Sequence, residues 1–131
     1  MPETSSAKWW MPPRPCVASS IAGQLGSLLS ASRSAGLSLG GGGYRDPAAQ
    51  MALRQAHCPD PVNSPPSSCS PPTARPGTSL HEQGLAIDFT NNGRLITSRS
   101  DPAFQWLAAN AGGYGFRNLP SEPWHWSTTG G

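Results

Sequence analysis

The chain is 131 residues long and carries 15 Gly, 15 Pro and 18 Ser against only 19 Leu, Ile, Val and Phe together, which leaves room for one small, loop-rich domain and excludes a coiled coil or a large multi-domain enzyme. A core that thin calls for added support from a metal, a disulfide or the five tryptophans. The formal net charge is +2 with basic residues set singly, so no nucleic-acid partner is expected; no apolar run long enough for a transmembrane segment occurs, and the N-terminus lacks a signal-peptide pattern.

Residues 1–18 form an N-terminal arm marked by Trp9 and Trp10, to which no chemistry is assigned, and residues 19–131 form a single domain. Ser19 or Ser20 suits an N-cap for a helix whose apolar positions are Ile21, Leu25, Leu28 and Leu29, with Gly36 as its stop. The run from Gly40 to Gly43 lacks the G-K-[S/T] of a phosphate-binding loop, and flexible backbone close to a substrate is the better expectation. Asp46-Pro47 and Asp101-Pro102 each place a capping carboxylate before a proline at the first helical position, predicting helices over about 47–57 and 102–111. The second should bury Phe104, Trp106 and Leu107 and end at Gly112-Gly113.

Between the two helices, residues 59–76 are so rich in Pro and Ser that a long irregular loop is expected, and loops of that length are usually functional or pinned. Cys58 and Cys69 flank part of it. A disulfide there would stiffen a segment that cannot pair its own backbone and would imply an oxidising compartment; free thiols are the alternative, and Cys16 is left over. Alternation over 85–89 predicts a strand that buries Leu85, Ile87 and Phe89 and turns Asp88 away. Asn91-Asn92-Gly93 predicts a turn into a short strand over 94–97. In Trp124-His125-Trp126 the same period sets His125 opposite two indoles.

His81, Asp88 and His125 are the residues that could share a cation. Two imidazoles and one carboxylate, with a fourth position open, make a catalytic zinc set. On the residues alone the bland reading stays open, with His81 in a turn, His125 packed in its strand and Asp88 solvated. His57, at a predicted helix end, is expected to be a C-terminal helix charge or a surface residue.

The segment Ser79-Leu80-His81-Glu82-Gln83-Gly84-Leu85-Ala86-Ile87-Asp88 resembles the S-x-H-x-x-G-x-A-x-D motif of the D-alanyl-D-alanine carboxypeptidase family, whose relatives include VanY-type and VanX-type enzymes and L-alanoyl-D-glutamate endopeptidases. Glu122-Pro123-Trp124-His125-Trp126 is similar to the family's E-P-W-H-W, and Gly43-Tyr44-Arg45, followed by Gln50, to its G-Y-R. The resemblance covers about residues 20–128. It implies an α+β fold in which a small antiparallel sheet flanked by helices carries a zinc site, as in DD-peptidase and hedgehog-like domains.

It further implies Zn2+ held by His81, Asp88 and His125, Glu122 as general base, Arg45 as the oxyanion-stabilising or substrate-anchoring cation, and Ser79, Gln50 and Tyr44 as substrate-binding residues. The implied partner is a peptidoglycan stem peptide, met outside the cytoplasm by a monomer or by one domain of a longer cell-envelope protein. Carboxypeptidase action on a terminal D-Ala is the leading expectation. Only Arg117 to Ser121 separate Phe116 from Glu122, where many carboxypeptidases carry a longer hairpin, so an endopeptidase stays open beside it, as does a zinc-stabilised binding module without turnover. One tension remains: strand parity sets Glu122 opposite His125, and Pro123 would have to break the regularity.

Overall fold

The structure, a computed structural model, describes residues 17–70, 73–75 and 79–131, together with the backbone of Trp9–Trp10. The rest of the arm, with Cys16, lies outside the described residues, as do Pro76, Gly77 and Thr78. Among the described residues, three helices and a five-stranded antiparallel sheet make an α+β fold, and a separate two-stranded pair joins Trp9–Trp10 (β1) to Val17–Ala18 (β2).

Helix α1 (Ser19–Ser34) follows β2 without a break, and its N-cap is Ala18, which offers no side-chain cap. A serine cap was expected. The entry is instead fixed by fully buried Val17 and by the hydrogen bond from Ala18 N–H to Gly84 O, so the helix starts one turn-residue earlier than its polar signal suggests. Gly36 ends it at φ +86, as the sequence predicts.

The glycine run is not flexible: Leu39–Gly42 is a strand, β3, paired to β4 (Ala86–Asn91). Gly41 sits at φ +137 opposite Phe89, and a Cβ there would lie 2.1 Å from Asp88 O. Its lack of a side chain serves the approach of two backbones.

Helices α2 (Pro47–His57) and α3 (Pro102–Asn110) begin as predicted, the Asp46 carboxylate accepting from Ala49 N–H at 2.7 Å and Asp101 from Ala103 N–H at 2.8 Å. Beyond α3 the chain tightens into a 3-10 turn, Ala111–Tyr114, which carries it through Gly112-Gly113, and the stop falls at Gly115 with φ +87. Trp106 is only partly buried, packed on the outside of the core. Asn92 and Gly93, both at positive φ, close a two-residue hairpin from β4 to β5 (Arg94–Leu95). The strand is shorter than expected, although Ile96 beyond it is fully buried and still donates its N–H to Phe89 O at 3.2 Å.

The sheet runs β3-β4-β7-β6, where β6 is Arg117–Leu119 and β7 is Glu122–Ser127, and β5 adds to the far end of β4. One face carries the core: Ile87 and Phe89 of β4 and Trp126 of β7 meet Ile21, Leu25, Leu28 and Leu29 of α1 and Phe104 and Leu107 of α3. Burying that many side chains at roughly 1.5–3 kcal/mol each is the main favourable term of so small a domain. The opposite face carries Asp88 of β4 and His125 of β7.

The segment between α2 and β4 is pinned at several points. Cys58 and Cys69 form a disulfide across 11 residues. Within that loop Pro66–Ser68 makes one 3-10 turn, the only regular element there among the described residues. Arg54 of α2, fully buried, donates to the carbonyls of Pro61 (2.9 Å), Ser64 (2.5 Å) and Thr73 (2.8 Å) and approaches Cys69 Sγ at 3.4 Å. Reducing the disulfide should cost about 2–3 kcal/mol by restoring loop freedom to the unfolded chain. Denaturant titration with and without reductant measures this, and thiol counting under denaturing, non-reducing conditions should find one reactive cysteine. Three reactive thiols, or no shift in the midpoint, would contradict the cross-link.

Candidate active site

Asp88 and His125 are cross-strand partners in the β4–β7 register, one position from Ile87 and Trp126, so both stand on the face turned from the core. His81 arrives from the turn before β4, where the Ser79 hydroxyl accepts its backbone N–H at 3.1 Å. The three side chains converge. His81 Nε2 lies 3.0 Å from Asp88 Oδ1 and 3.2 Å from His125 Nδ1, and His125 Nδ1 lies 3.1 Å from Asp88 Oδ1.

The outer nitrogens decide what this triangle suits. His81 Nδ1 donates to Gly43 O at 2.6 Å and His125 Nε2 donates to Gly131 O at 2.7 Å. A carbonyl only accepts, so each imidazole carries its proton outward and turns a lone pair inward, toward a carboxylate oxygen. Three lone pairs within 3.0–3.2 Å repel unless a metal ion or an added proton joins them. Zinc bonds of about 2.0–2.1 Å in a tetrahedron separate neighbouring ligand atoms by roughly 3.3–3.4 Å, close to the spacing found. The donor set therefore fits the metal that the motifs imply, with one face open to a cleft.

The surrounding charges are ordered around this point. Burial opposes ionisation of Asp88, but once His125 and His81 also carry protons on their inner nitrogens, their hydrogen bonds and charges outweigh it and hold the carboxyl well below the usual range. Burial also works against a charged His125, and Asp88 outweighs it, raising that imidazole above its ordinary value. Glu122 is pushed up, by burial first and by the charge of Asp88 second, with His125 opposing. Arg45 donates through Nη2 to Asp88 Oδ2 at 3.3 Å and through Nη1 to Gln50 Oε1 at 2.8 Å. Gln50, which could have been a surface residue, is buried and also donates to Ala74 O at 2.7 Å.

Glu122 reaches the same side as His125, Oε1 lying 3.8 Å from His125 Nδ1, and the parity problem is solved by a bulge. In the β6–β7 ladder Asn118 pairs with Trp126 but Leu119 with Glu122, so β7 arches between them. The same arch changes the tryptophans. Trp126 packs in the core against Phe104 at 5.9 Å between ring centroids, whereas Trp124 lines the cleft instead of standing opposite His125.

The cleft has a volume of about 680 Å3. Arg45, Gln50, Ser79, His81, Asp88, Glu122 and His125 all line it; Tyr44 is half-buried and does not. His57, expected at the surface, is half-buried, hydrogen-bonded through Nδ1 with Thr73 Oγ1 at 2.9 Å, and also lines the cleft. Its position seven residues after Gln50 on α2 is the signal that could have placed it, since the two share a helix face. Arg54 and Asn118 carry no comparable signal. Each acts through backbone carbonyls that only the fold brings within reach.

Residues 15–131 match the family model described as VanY, D-alanyl-D-alanine carboxypeptidase. The chain belongs to the VanY family. It is 37% identical over 68 residues to the D-alanyl-D-alanine carboxypeptidase of Enterococcus faecalis, a match that takes in 44% of this chain and 25% of that protein, so the chain spans about a quarter of the curated relative. Two solved VanY structures share its fold with a TM-score of 0.71. VanYB in complex with D-Alanine-D-Alanine is 23% identical, covering 97% of this chain and 80% of that one. A vancomycin-resistance D,D-pentapeptidase VanY variant in complex with Zn(II) is 24% identical, covering 97% and 81%. DacB, an L,D-carboxypeptidase of Streptococcus pneumoniae, is 26% identical with a TM-score of 0.61, covering 88% of this chain and 66% of that one. Among the described residues, no helix of this VanY-family chain is long and apolar enough to cross a membrane.

Proposed function

We propose that this chain is a zinc-dependent, D,D-carboxypeptidase-like peptidase acting on the stem peptide of peptidoglycan outside the cytoplasm. The observation that carries the reading is the convergence of His81, Asp88 and His125, their outer nitrogens fixed by carbonyls, with Glu122 beside them in an open cleft. A zinc-stabilised binding module would have no use for a buried carboxylate 3.8 Å from a ligand.

Zinc, when bound by those three residues, supplies Lewis acidity for the scissile carbonyl and acidity for the attacking water. Glu122, its pKa raised by burial, takes the proton of that water and passes it to the leaving amine. Arg45 presents a planar fork held by Gln50 and Asp88, and so meets developing negative charge without reorganising. Ser79 is engaged in its turn and lines the cleft, which suits it to hold a substrate amide or carboxylate as well. The Cys58–Cys69 bond fits an oxidising, extracytoplasmic setting.

A second reading, cleavage of an internal stem-peptide bond, draws support from the tight β6–β7 connection at Pro120-Ser121, which raises no high wall beside the site. Mass spectrometry of digested stem peptides separates the two. Loss of a terminal D-Ala is expected, internal fragments would establish the endopeptidase, and no cleavage of either kind would end the peptidase reading. Metal analysis of His125→Ala should show loss of the zinc bound by the unaltered chain, one per molecule. Full retention would remove His125 from the ligand set.

A further inference from the structure

The same-side placement of Glu122 and His125 depends on an arch that β-strand geometry does not provide by itself. The arch leaves carbonyls of β7 outside the regular β6–β7 ladder, and one side chain gathers them. Asn118 Nδ2 donates to Glu122 O at 2.9 Å and to His125 O at 3.0 Å, with Pro123 O at 3.5 Å. An amide nitrogen carries two protons, so the first two bonds use its full capacity.

The orientation of that amide is set by a second residue. Arg99 Nη1 donates to Asn118 Oδ1 at 3.1 Å, which leaves the amide nitrogen as the end that faces β7. Arg99 Nη2 donates to Pro120 O, in the turn that leads to Glu122. The guanidinium stands 5.0 Å from the centroid of Phe104 and is thereby braced against α3.

The two ends of the arch are not held equally. His125 is fixed on its other side by pairing with Asp88 and by the bond to Gly131 O. Glu122 lies beyond the last residue paired to β4, and among the described residues its strand partner is Leu119 of β6.

We propose that Asn118, oriented by Arg99, is a positioning residue that keeps Glu122 on the same side of β7 as the metal-binding triangle. It touches neither substrate nor metal and acts through the carbonyls of the arch. Removing its amide lets β7 relax toward the regular alternation that turns Glu122 away, while His125 stays. The catalytic consequence rests on the peptidase reading above; the structural one does not.

The test uses Asn118→Leu, which keeps shape without hydrogen bonds, Asn118→Asp, which turns an oxygen toward two carbonyls, and Arg99→Met. Chelator competition should show zinc affinity within about threefold of the unaltered chain in all three. A crystal structure of Asn118→Leu should show the Glu122 carboxylate withdrawn from His125. On stem peptide, kcat should fall at least about tenfold with KM little changed, less in Arg99→Met than in Asn118→Leu. Adding Asn118→Leu to Glu122→Gln should cost nothing further, because both remove the same group from the reaction.

Glu122 found in place in the variant crystal, or losses that multiply in the double variant, would overturn the proposal. So would zinc affinity falling in step with kcat, which would make Asn118 a support of the ligands. Should Asn118→Leu fail to fold, Asn118→Asp and Arg99→Met carry the same comparisons. If the unaltered chain cleaves no stem peptide, the peptidase reading fails and the crystallographic comparison still decides the positioning role.

Discussion

Glu122→Gln should keep one zinc per chain and lose about 10²–10⁴ of its turnover. The amide is nearly isosteric with the carboxylate, so packing at this buried position is preserved. What disappears is basicity. Burial, opposed by the charge of His125, pushes the Glu122 carboxyl up, and whereas a carboxylate can accept a proton from water, an uncharged amide cannot. Zinc is retained because Glu122 lies outside the triangle of ligand atoms, 3.8 Å from His125 Nδ1. Paired metal analysis and D-Ala release assays decide the matter. Loss of metal would make Glu122 a ligand or a support of one, and unchanged turnover would take it out of the reaction.

The largest loss of stability is expected at Arg54→Met. The guanidinium is fully buried and binds three carbonyls and a sulfur. Methionine fills part of the space and removes the guanidinium bonds to Pro61 O, Ser64 O and Thr73 O. Hydrogen bonds from a charged donor contribute roughly 1.5–3 kcal/mol each, so losing those made in the buried interior should cost about 3 kcal/mol or more. Arg54 also stands in the last turn of α2, where a cation is favoured by the helix dipole. Urea titration of the variant against the unaltered protein reads this loss. An equal midpoint would mean that water replaces the guanidinium at little cost.

How much was legible in the sequence follows from the range over which each residue acts. Asp46 and Asp101 cap backbone three and two residues away, and both helix starts were predicted correctly. Ile87, Asp88 and Phe89 obey a period of two, and the polar face that positions Asp88 and His125 followed from it. The pairing of the glycine run as a strand was not foreseen because the requirement at Gly41 is set by a strand more than 40 residues later, at Asp88. The α3 boundary fell at Asn110, next to the expected end, and a 3-10 turn over Ala111–Tyr114 follows it, as is common at helix C-termini. The arch at β7 left only a mismatch of parity between Glu122 and His125. That mismatch marked the place where a longer-range device, the amide of Asn118, had to intervene.

The Pro/Ser segment between α2 and β4 has a consequence for anyone who would exchange it. Ala74 is tied to Gln50, Gln50 to Arg45, and Arg45 to the outer oxygen of Asp88, so an unbroken relay of hydrogen bonds runs from the loop to a residue of the metal triangle. Arg54 anchors the same stretch one residue earlier, at Thr73. A segment grafted from a relative would therefore disturb the reacting centre unless Gln50 and Arg54 travelled with it. Loop, helix face and carboxylate make one inheritable unit, to be transplanted whole.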